Sequence, residues 1–362
     1  MSLCATYSKI QTSSALDCGK TRPHCVTSRI DATRNPQFIH HLHRPQKCSD
    51  PGQGREAYMT FDNILFPIDF SDSCNSVKAD VEWLAKKFNS KVTLLYVFEV
   101  PPAWYGMGDA YAVSAEWLTQ IMADAKKRLD SFTINLPAEQ VERILLEGRP
   151  ATEIYHWCDK NHPDLVAMAT HGHGALEGLM MGSTTAKVLH NVNVPLWLRP
   201  LDVAKVASKP SKFQIVCGIG LAEETDSVLK YAKHLAEAFD ADVTLVHSVP
   251  EEETVPNRYL DFDLHKVLTR IAATEIATHQ RKAGTDFPTV LTNTAIGTSL
   301  VTVAAEKNAN MILIGRGHSR KFLGRFRTHA LDLLSLAHCP VFSYCPEESH
   351  AVPEPQLITA TA

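Results

Sequence analysis

The sequence repeats itself at an offset of about 150 residues, and this duplication limits the possible fold more than any other feature. The run Val92–Leu95 recurs as Val243–Val246, and Val194–Trp197 corresponds to Cys339–Phe342. A chain of 362 residues has the length of two domains of ordinary size. We therefore expect two tandem copies of one domain.

Each copy alternates the patterns of buried strands with those of amphipathic helices. In Asn63–Ile68 the apolar residues follow one another, which is typical of a strand covered on both faces in a parallel sheet. After it, Val77, Val81 and Leu84 recur at helical spacing. The predicted strands of the first copy are Asn63–Asp69, Val92–Val97, Val141–Leu146, Asp164–Met168 and Val194–Leu198. This alternation predicts an α/β fold with a mostly parallel sheet and right-handed crossovers.

A loop rich in glycine joins the fourth strand of the first copy to a helix. It runs from Ala169 to Thr184. Glycines let backbone N–H groups approach an anion, and the start of a helix adds unpaired donors and a partial positive charge. Ser183 and Thr184 add hydroxyl groups there. Phosphate is the expected ligand, and the alternative is a βα loop whose glycines serve only to turn the chain.

Asp69 lies where the first strand leaves the sheet, the edge at which open α/β sheets bind ligands. Alternatively, Asp69 and Ser71 cap the following helix. The residues alone therefore support only a site for a phosphate-sized anion beside a carboxylate. A P-loop Gly-Lys-Ser/Thr is absent, and the glycines follow the fourth strand, whereas a dinucleotide fingerprint follows the first.

The second copy lacks the features that define this site. Gly220 stands at the position of Asp69, and Arg327–Thr328 replaces Gly182–Ser183. The corresponding loop, Gly315–Thr328, contains four arginines and one lysine, residue types that pair with phosphate. Without the carboxylate and the glycine the geometry of the first copy is not preserved. We interpret the second copy as structural or regulatory, with a second nucleotide site as the alternative.

Composition argues against membrane and nucleic-acid functions. No apolar run approaches the ~20 residues of a membrane span. Residues 1–58 hold eight Lys/Arg and four Asp/Glu, a net charge of +4. Since the whole chain has a net charge of −4, the remaining residues carry −8, which gives no indication of a basic surface for nucleic acid.

The nine cysteines form no Cys-x-x-Cys pair, which fits reduced thiols in a cytoplasm. The cluster His40–His43 has no second ligand pair, so we expect no metal site.

Pattern and composition also predict the domain boundaries. Residues 1–58 show no helix or strand period and are rich in Ser, Thr, Pro, His and Gln, so we expect a disordered N-terminal extension. The first domain is expected at 59–201 and the second at 213–346, with a linker at 202–212 between them. A polar tail is expected at 347–362.

Both copies resemble the universal stress protein family in its tandem two-domain form. The carriers of the resemblance include Pro67 and Asp69 after the first strand, and the strand Leu94–Val97. The resemblance implies that each domain is a Rossmann-like, five-stranded parallel sheet of order 3-2-1-4-5 with helices on both faces. It also implies that Val194–Leu198 pairs with Pro340–Tyr344. The two domains would then form a pseudo-dimer within the chain, and a homodimer is left open.

The ATP-binding branch of that family has a signature of glycine, two residues, glycine, nine residues, glycine, and Ser or Thr. In this chain Gly172 and Gly182–Ser183 match the signature, and Ala169 takes the place of the first glycine. The resemblance implies that the first domain binds ATP, with Mg²⁺. The implied binding residues are Pro67, Asp69, Val97, Met168, Ala169, Gly172, Gly182, Ser183 and Thr184.

The implied function is ATP binding in stress response or signalling, with little turnover and no catalytic residue. The sequence alone identifies no carboxylate that would pair with His171 or His173 and make it a base for hydrolysis. Two alternatives stay open. One is a slow ATP hydrolase, and the other is an interaction module without nucleotide, which Ala169 and the degenerate second copy favour. The expected partner is an adenine nucleotide, with neither nucleic acid nor membrane.

Overall fold

The computed structural model describes residues 59–99, 115–171, 181–200, 212–249, 264–316 and 333–346. All of them belong to one structural unit, Arg55–Ala362. The predicted extension 1–58, the tail 347–362 and all of the linker except Lys212 lie outside the described residues, as does Gly172.

In the described residues each half of the chain builds five strands, interleaved with helices. The first half contains β1 (Asn63–Ile68), α1 (Asp72–Phe88), β2 (Lys91–Phe98), α2 (Ala115–Ser131), β3 (Val141–Glu147), α3 (Pro150–Asn161), β4 (Leu165–Ala169), α4 (Ser183–Asn191) and β5 (Leu196–Arg199). The second half contains β6 (Phe213–Gly218), α5 (Thr225–Phe239), β7 (Ala241–Ser248), α6 (Leu264–Ala283), β8 (Thr289–Thr292), α7 (Ile296–Glu306), β9 (Met311–Gly315) and β10 (Val341–Tyr344). The predicted α/β class is confirmed.

None of the described helices combines the length with the apolar character that crossing a membrane requires.

The strands form one sheet in the order β3-β2-β1-β4-β5-β10-β9-β6-β7-β8. Within each half the pairings are parallel, and the order is third, second, first, fourth and fifth strand. The halves meet at an antiparallel pairing of β5 with β10, where Trp197 lies opposite Phe342 and Leu198 opposite Val341. The fifth strands therefore pair within the chain, as the resemblance implies.

Each fifth strand starts one or two residues later than its pattern predicts, because a proline precedes it. Proline has no N–H to donate to the ladder, but its carbonyl still accepts. Val166 N donates to Pro195 O over 2.9 Å, and Ile312 N donates to Pro340 O over 3.0 Å. In both halves the proline marks the point at which the strand enters the sheet.

Alternating side chains of the strands fill apolar cores on both faces of the sheet. In β1, Ile64 and Phe66 pack on the side of α1, whereas Leu65 packs on the side of α3 and α4. The predicted stripe of α1 is fully buried, from Val77 to Leu84. Coverage on both faces explains why the strands read as continuous apolar runs.

Aromatic side chains join the two halves on the α1 face. Trp83 of α1 stacks on Phe213 of β6 and on Phe239 of α5, with ring centroids 5.8 and 5.6 Å apart. Phe88 meets Phe239 edge-on at 5.4 Å. Aromatic pairs of this kind contribute about 0.5–1.5 kcal/mol each beyond their buried area. The two copies therefore share a core on this face in addition to the strand pairing.

Next to the junction the first half buries an ion pair. Asp80 of α1 accepts hydrogen bonds from Arg199 Nη1 over 2.6 Å and from Trp197 Nε1 over 2.9 Å, and both charged side chains are 2% exposed. Burial raises the pKa of Asp80 although Arg199 and Trp197 lower it, so desolvation outweighs the attraction. The second half has Tyr231 and Tyr344 at these positions, and their rings stack with centroids 3.8 Å apart.

Candidate functional site

A cavity of about 330 Å³ lies at the carboxyl edge of the first half, where β1, β2 and β4 end and α4 begins. This is the edge at which open α/β sheets bind ligands. The cavity is lined by eight of the nine predicted site residues, namely Pro67, Asp69, Val97, Met168, Ala169, Gly182, Ser183 and Thr184. The ninth, Gly172, lies outside the described residues. The fold thus brings together residues that are more than 100 positions apart in the chain.

Asp69 both lines the cavity and supports the start of α1. Its Oδ1 accepts hydrogen bonds from Ser71 N over 2.9 Å and from Ser71 Oγ over 2.7 Å. Ser71 is the N-cap of α1, and its Oγ accepts from Cys74 N over 3.1 Å. Ser71 is therefore the residue that caps α1, and Asp69 contributes to the cap by orienting Ser71.

Phe70, between them, has an unusual backbone. Its φ of 63° is left-handed, which costs a bulky residue roughly 1–3 kcal/mol. Its ring is held by Tyr96, with centroids 4.7 Å apart, and by the Arg128 guanidinium 4.3 Å from the ring centroid. The corresponding residue of the second half, Leu221, does not adopt this conformation. Strained backbone maintained beside a cavity favours a functional role for the turn.

The first turn of α4 forms the second polar part of the cavity. Gly182 is its N-cap residue and supplies no side-chain cap. The Gly182 N–H donates to Thr170 O over 2.8 Å, and Thr185 Oγ1 donates to Ala169 O over 2.9 Å. These two bonds fix the helix against the end of β4. Ser183, Thr184 and the helix N-terminus then offer hydroxyl groups, backbone donors and a partial positive charge to an anion.

Ala169 stands where the family signature has its first glycine, and the packing around the equivalent residue of the second half shows what this position allows. The same place in β9 is occupied by Gly315, where an added Cβ would lie 2.5 Å from Val228 Cγ2. In the first half the Ala169 methyl packs against the core beneath α1. Helix packing thus requires the small residue in the second half, whereas the first half accommodates a methyl group.

The cavity also contains residues that the motifs did not select. These are Ile68, Cys74, Leu95, Tyr96, Glu99, Pro150, Ile154, His171 and Thr185. Glu99 directly follows β2, so the strand-end rule that selected Asp69 would have found it. His171 is 8% exposed, and its Nδ1 lies 2.9 Å from Thr170 Oγ1. Burial raises the pKa of the Cys74 thiol to about 11, so this thiol is protonated at neutral pH.

At the equivalent edge of the second half, hydroxyl groups bond to one another. Thr292 Oγ1 donates to Ser299 Oγ over 2.7 Å, and Thr294 Oγ1 lies 2.8 Å from the same oxygen. Ser248, which corresponds to Val97, donates to the carbonyl of Thr294. A satisfied polar network therefore stands where the first half presents an apolar side chain.

Arg316, one of the arginines of the basic loop of the second copy, is engaged by the first half. Arg316 directly follows β9 and is 8% exposed. Its guanidinium donates to the carbonyls of Leu189, Val192 and Val194 of the first half, over 2.7, 2.8 and 2.7 Å. The charge is thus engaged by backbone of the other half. The other cationic residues of the predicted loop lie outside the described residues.

Comparisons with known proteins agree with this architecture. The model of the universal stress protein family matches residues 60–200 and again 213–343. Over 145 residues the chain is 28% identical to a universal stress protein of Methanocaldococcus jannaschii, which covers 38% of this chain and 80% of the relative.

Solved structures show the same fold. A universal stress protein from Archaeoglobus fulgidus has a TM-score of 0.52 and 16% identity, with 79% of this chain and 99% of that chain covered. A universal stress protein structure from the same organism in complex with dAMP has a TM-score of 0.29 and 22% identity, with 37% of this chain and 98% of that chain covered. Because the family model matches both halves, the chain belongs to the universal stress protein family and carries two of its domains in tandem.

Proposed function

We propose that the first half binds an adenine nucleotide, specifically ATP with Mg²⁺, and that the protein acts in stress response or signalling through nucleotide occupancy. The cavity is the observation that carries this proposal. A carboxylate, an apolar strand wall and a helix N-terminus without a side-chain cap meet in it. These elements suit the ribose, the base and the phosphates of one ligand.

The described residues fit such a ligand chemically. Ser183 and Thr184 in the first turn of α4 would hold the phosphates through backbone N–H groups and hydroxyls, and Gly182 before them has no side chain to block the approach. Val97 offers an apolar contact for the base, and Asp69 offers a carboxylate to ribose hydroxyls. Mg²⁺ prefers phosphate oxygens, waters and few protein ligands, so this site needs no carboxylate cage to hold it.

We infer that turnover is slow, because two titratable groups of the cavity, Asp69 and Cys74, are poorly suited to activate a nucleophile. Asp69 accepts two hydrogen bonds from Ser71, and the Cys74 thiol stays protonated at neutral pH. Steady product formation is the outcome that would contradict this inference.

The direct experiment uses the purified full-length chain. Nucleotide is released by denaturation and identified, and ATP binding is then titrated and product formation followed with Mg²⁺. Bound ATP without steady ADP or AMP formation supports the proposal. Steady turnover would show that the protein is an enzyme. No binding at about 1 mM ATP would mean a binding free energy weaker than about 4 kcal/mol and would favour an interaction module without nucleotide.

A variant of the phosphate end tests the location of the site. Gly182→Arg, which copies the second half, should abolish ATP binding because the side chain would occupy the start of α4. Gly182→Ala is the matched control, since Gly182 has φ −64° and ψ 143°, which alanine adopts readily. Circular dichroism should show both variants folded. Normal ATP affinity in Gly182→Arg would show that the nucleotide binds elsewhere.

A further inference from the structure

Arg316 reaches from the second half into the first and contacts the helix that forms the phosphate end of the cavity. Nη1 donates to Leu189 O in the last turn of α4 and to Val192 O at its C-cap. Nη2 donates to Val194 O in the segment that leads into β5. The carbonyls at the end of a helix have no N–H donors within the helix. One side chain thus binds three carbonyls at the end of α4 and in the segment that follows it.

Arg316 remains a cation in this place. Burial lowers its pKa to about 10, while nearby Cys345 opposes the effect. A pKa of about 10 leaves the guanidinium protonated at neutral pH. A buried cation at the C-terminus of a helix is stabilised by the helix dipole, and its hydrogen bonds to carbonyls are charge-assisted. The contact therefore fixes the position of this end of α4.

The two ends of α4 are mechanically connected. With nine residues the helix is about 14 Å long. Its first turn lines the cavity through Ser183 and Thr184, and its last turn is held by Arg316. Displacement of the last turn would therefore shift the first turn and the donors that it presents.

Among the residues that the structure describes, this contact runs only from the second half to the first. The residue of the first half that corresponds to Arg316 is Thr170, since Thr170 N donates to Arg199 O as Arg316 N donates to Tyr344 O. Thr170 contacts residues that line the cavity of its own half, because its carbonyl accepts from Gly182 N and its hydroxyl contacts His171. At one topological position the first half thus supports its own site, and the second half supports the site of the first.

We propose that Arg316 is a positioning residue for the phosphate end of the first-half site, so that the second half sets the affinity of the first for nucleotide phosphates. This inference rests on the proposed function. It assigns to the degenerate domain the role of holding α4 in place for phosphate binding.

The test compares ATP with adenosine in the full-length chain. Arg316→Met keeps the side-chain length and removes the donors. It should weaken ATP binding about tenfold, a usual size for coupling between sites, and change adenosine binding little. Arg316→Lys should restore part of the affinity. Trp83→Leu is the control, because it weakens the contact between halves on the opposite face of the sheet and should alter the ATP-to-adenosine ratio little.

Hydrogen exchange provides a readout that needs no ligand. In Arg316→Met the amides of Gly182 and Ala186 should exchange faster than in the wild type, whereas those of α1 should not. Equal losses of ATP and adenosine affinity, or unchanged exchange in α4, would overturn the inference. A wild-type chain that binds no adenine nucleotide would overturn the proposed function, and exchange alone would then decide whether Arg316 holds α4.

Discussion

The two halves of this protein have the same strand order, yet their carboxyl edges differ in almost every residue that could meet a ligand. The first half has Asp69 at the end of β1, a left-handed Phe70 and an uncapped helix start. The second half has Gly220 and hydroxyl groups that satisfy one another. The topology is therefore independent of the site, because the core faces and the edge depend on different residues.

The junction shows a second contrast. The first half buries the Asp80–Arg199 pair where the second half stacks Tyr231 on Tyr344. A buried ion pair often contributes little net stability, but removal of one partner is costly. The two solutions therefore fill equivalent places with different sensitivity to mutation.

The largest effect is expected from Asp80→Leu. It removes the carboxylate that Arg199 and Trp197 contact in a dry environment, so the free energy of unfolding should fall by about 3–5 kcal/mol. Urea denaturation monitored by tryptophan fluorescence measures this. The double variant Asp80→Leu with Arg199→Met should recover most of the loss, because no buried charge remains.

The matched change in the second half is Tyr231→Leu. It removes an aromatic stack and leaves no charge, so the loss should be smaller, about 1–2 kcal/mol. If Asp80→Leu proves no more damaging than Tyr231→Leu, or if the double variant is as unstable as Asp80→Leu alone, the contrast between the two junctions is wrong.

An intermediate effect is expected where β4 and β9 differ. Gly315→Ala should lower the free energy of unfolding by about 1–3 kcal/mol, because the new Cβ would lie 2.5 Å from Val228 Cγ2. The reciprocal Ala169→Gly should cost only about 0.5–1 kcal/mol, mainly through backbone entropy. Thermal unfolding of both variants decides the matter. A neutral Gly315→Ala would mean that the α5 packing does not constrain this position.

Much of the fold could be predicted because local sequence patterns indicate which residues are buried. The stripe from Val77 to Leu84 indicates a helix buried on one face, and the apolar run of β1 indicates a strand buried on both faces. Because the sequence is duplicated, similar patterns occur in both halves. The predicted starts of β5 and β10 lie one or two residues too early, since Pro195 and Pro340 join the ladder only through their carbonyls.

The candidate site was predictable only in part. Asp69 and Gly182 stand at positions where a strand ends and a helix begins, so local rules select them. Tyr96 and His171 line the cavity through packing that no local period reports. The contacts of Arg316 could not be predicted, because its carbonyl partners lie 122–127 residues away in the chain. Contacts of that separation follow from the assembled sheet and not from the sequence around the residue.

The smallest effect is expected from Gly220→Asp, which returns the strand-end carboxylate to the second half. An added Cβ at Gly220 meets no atom within 4 Å, so stability should change by less than about 0.5 kcal/mol. Binding should stay at one ATP per chain in calorimetric titration, because Ser248 is still bonded to Thr294 and Arg316 still faces the first half. A second ATP bound by Gly220→Asp would show that the carboxylate alone separates the two edges, and that the hydroxyl network and Arg316 contribute nothing to the difference.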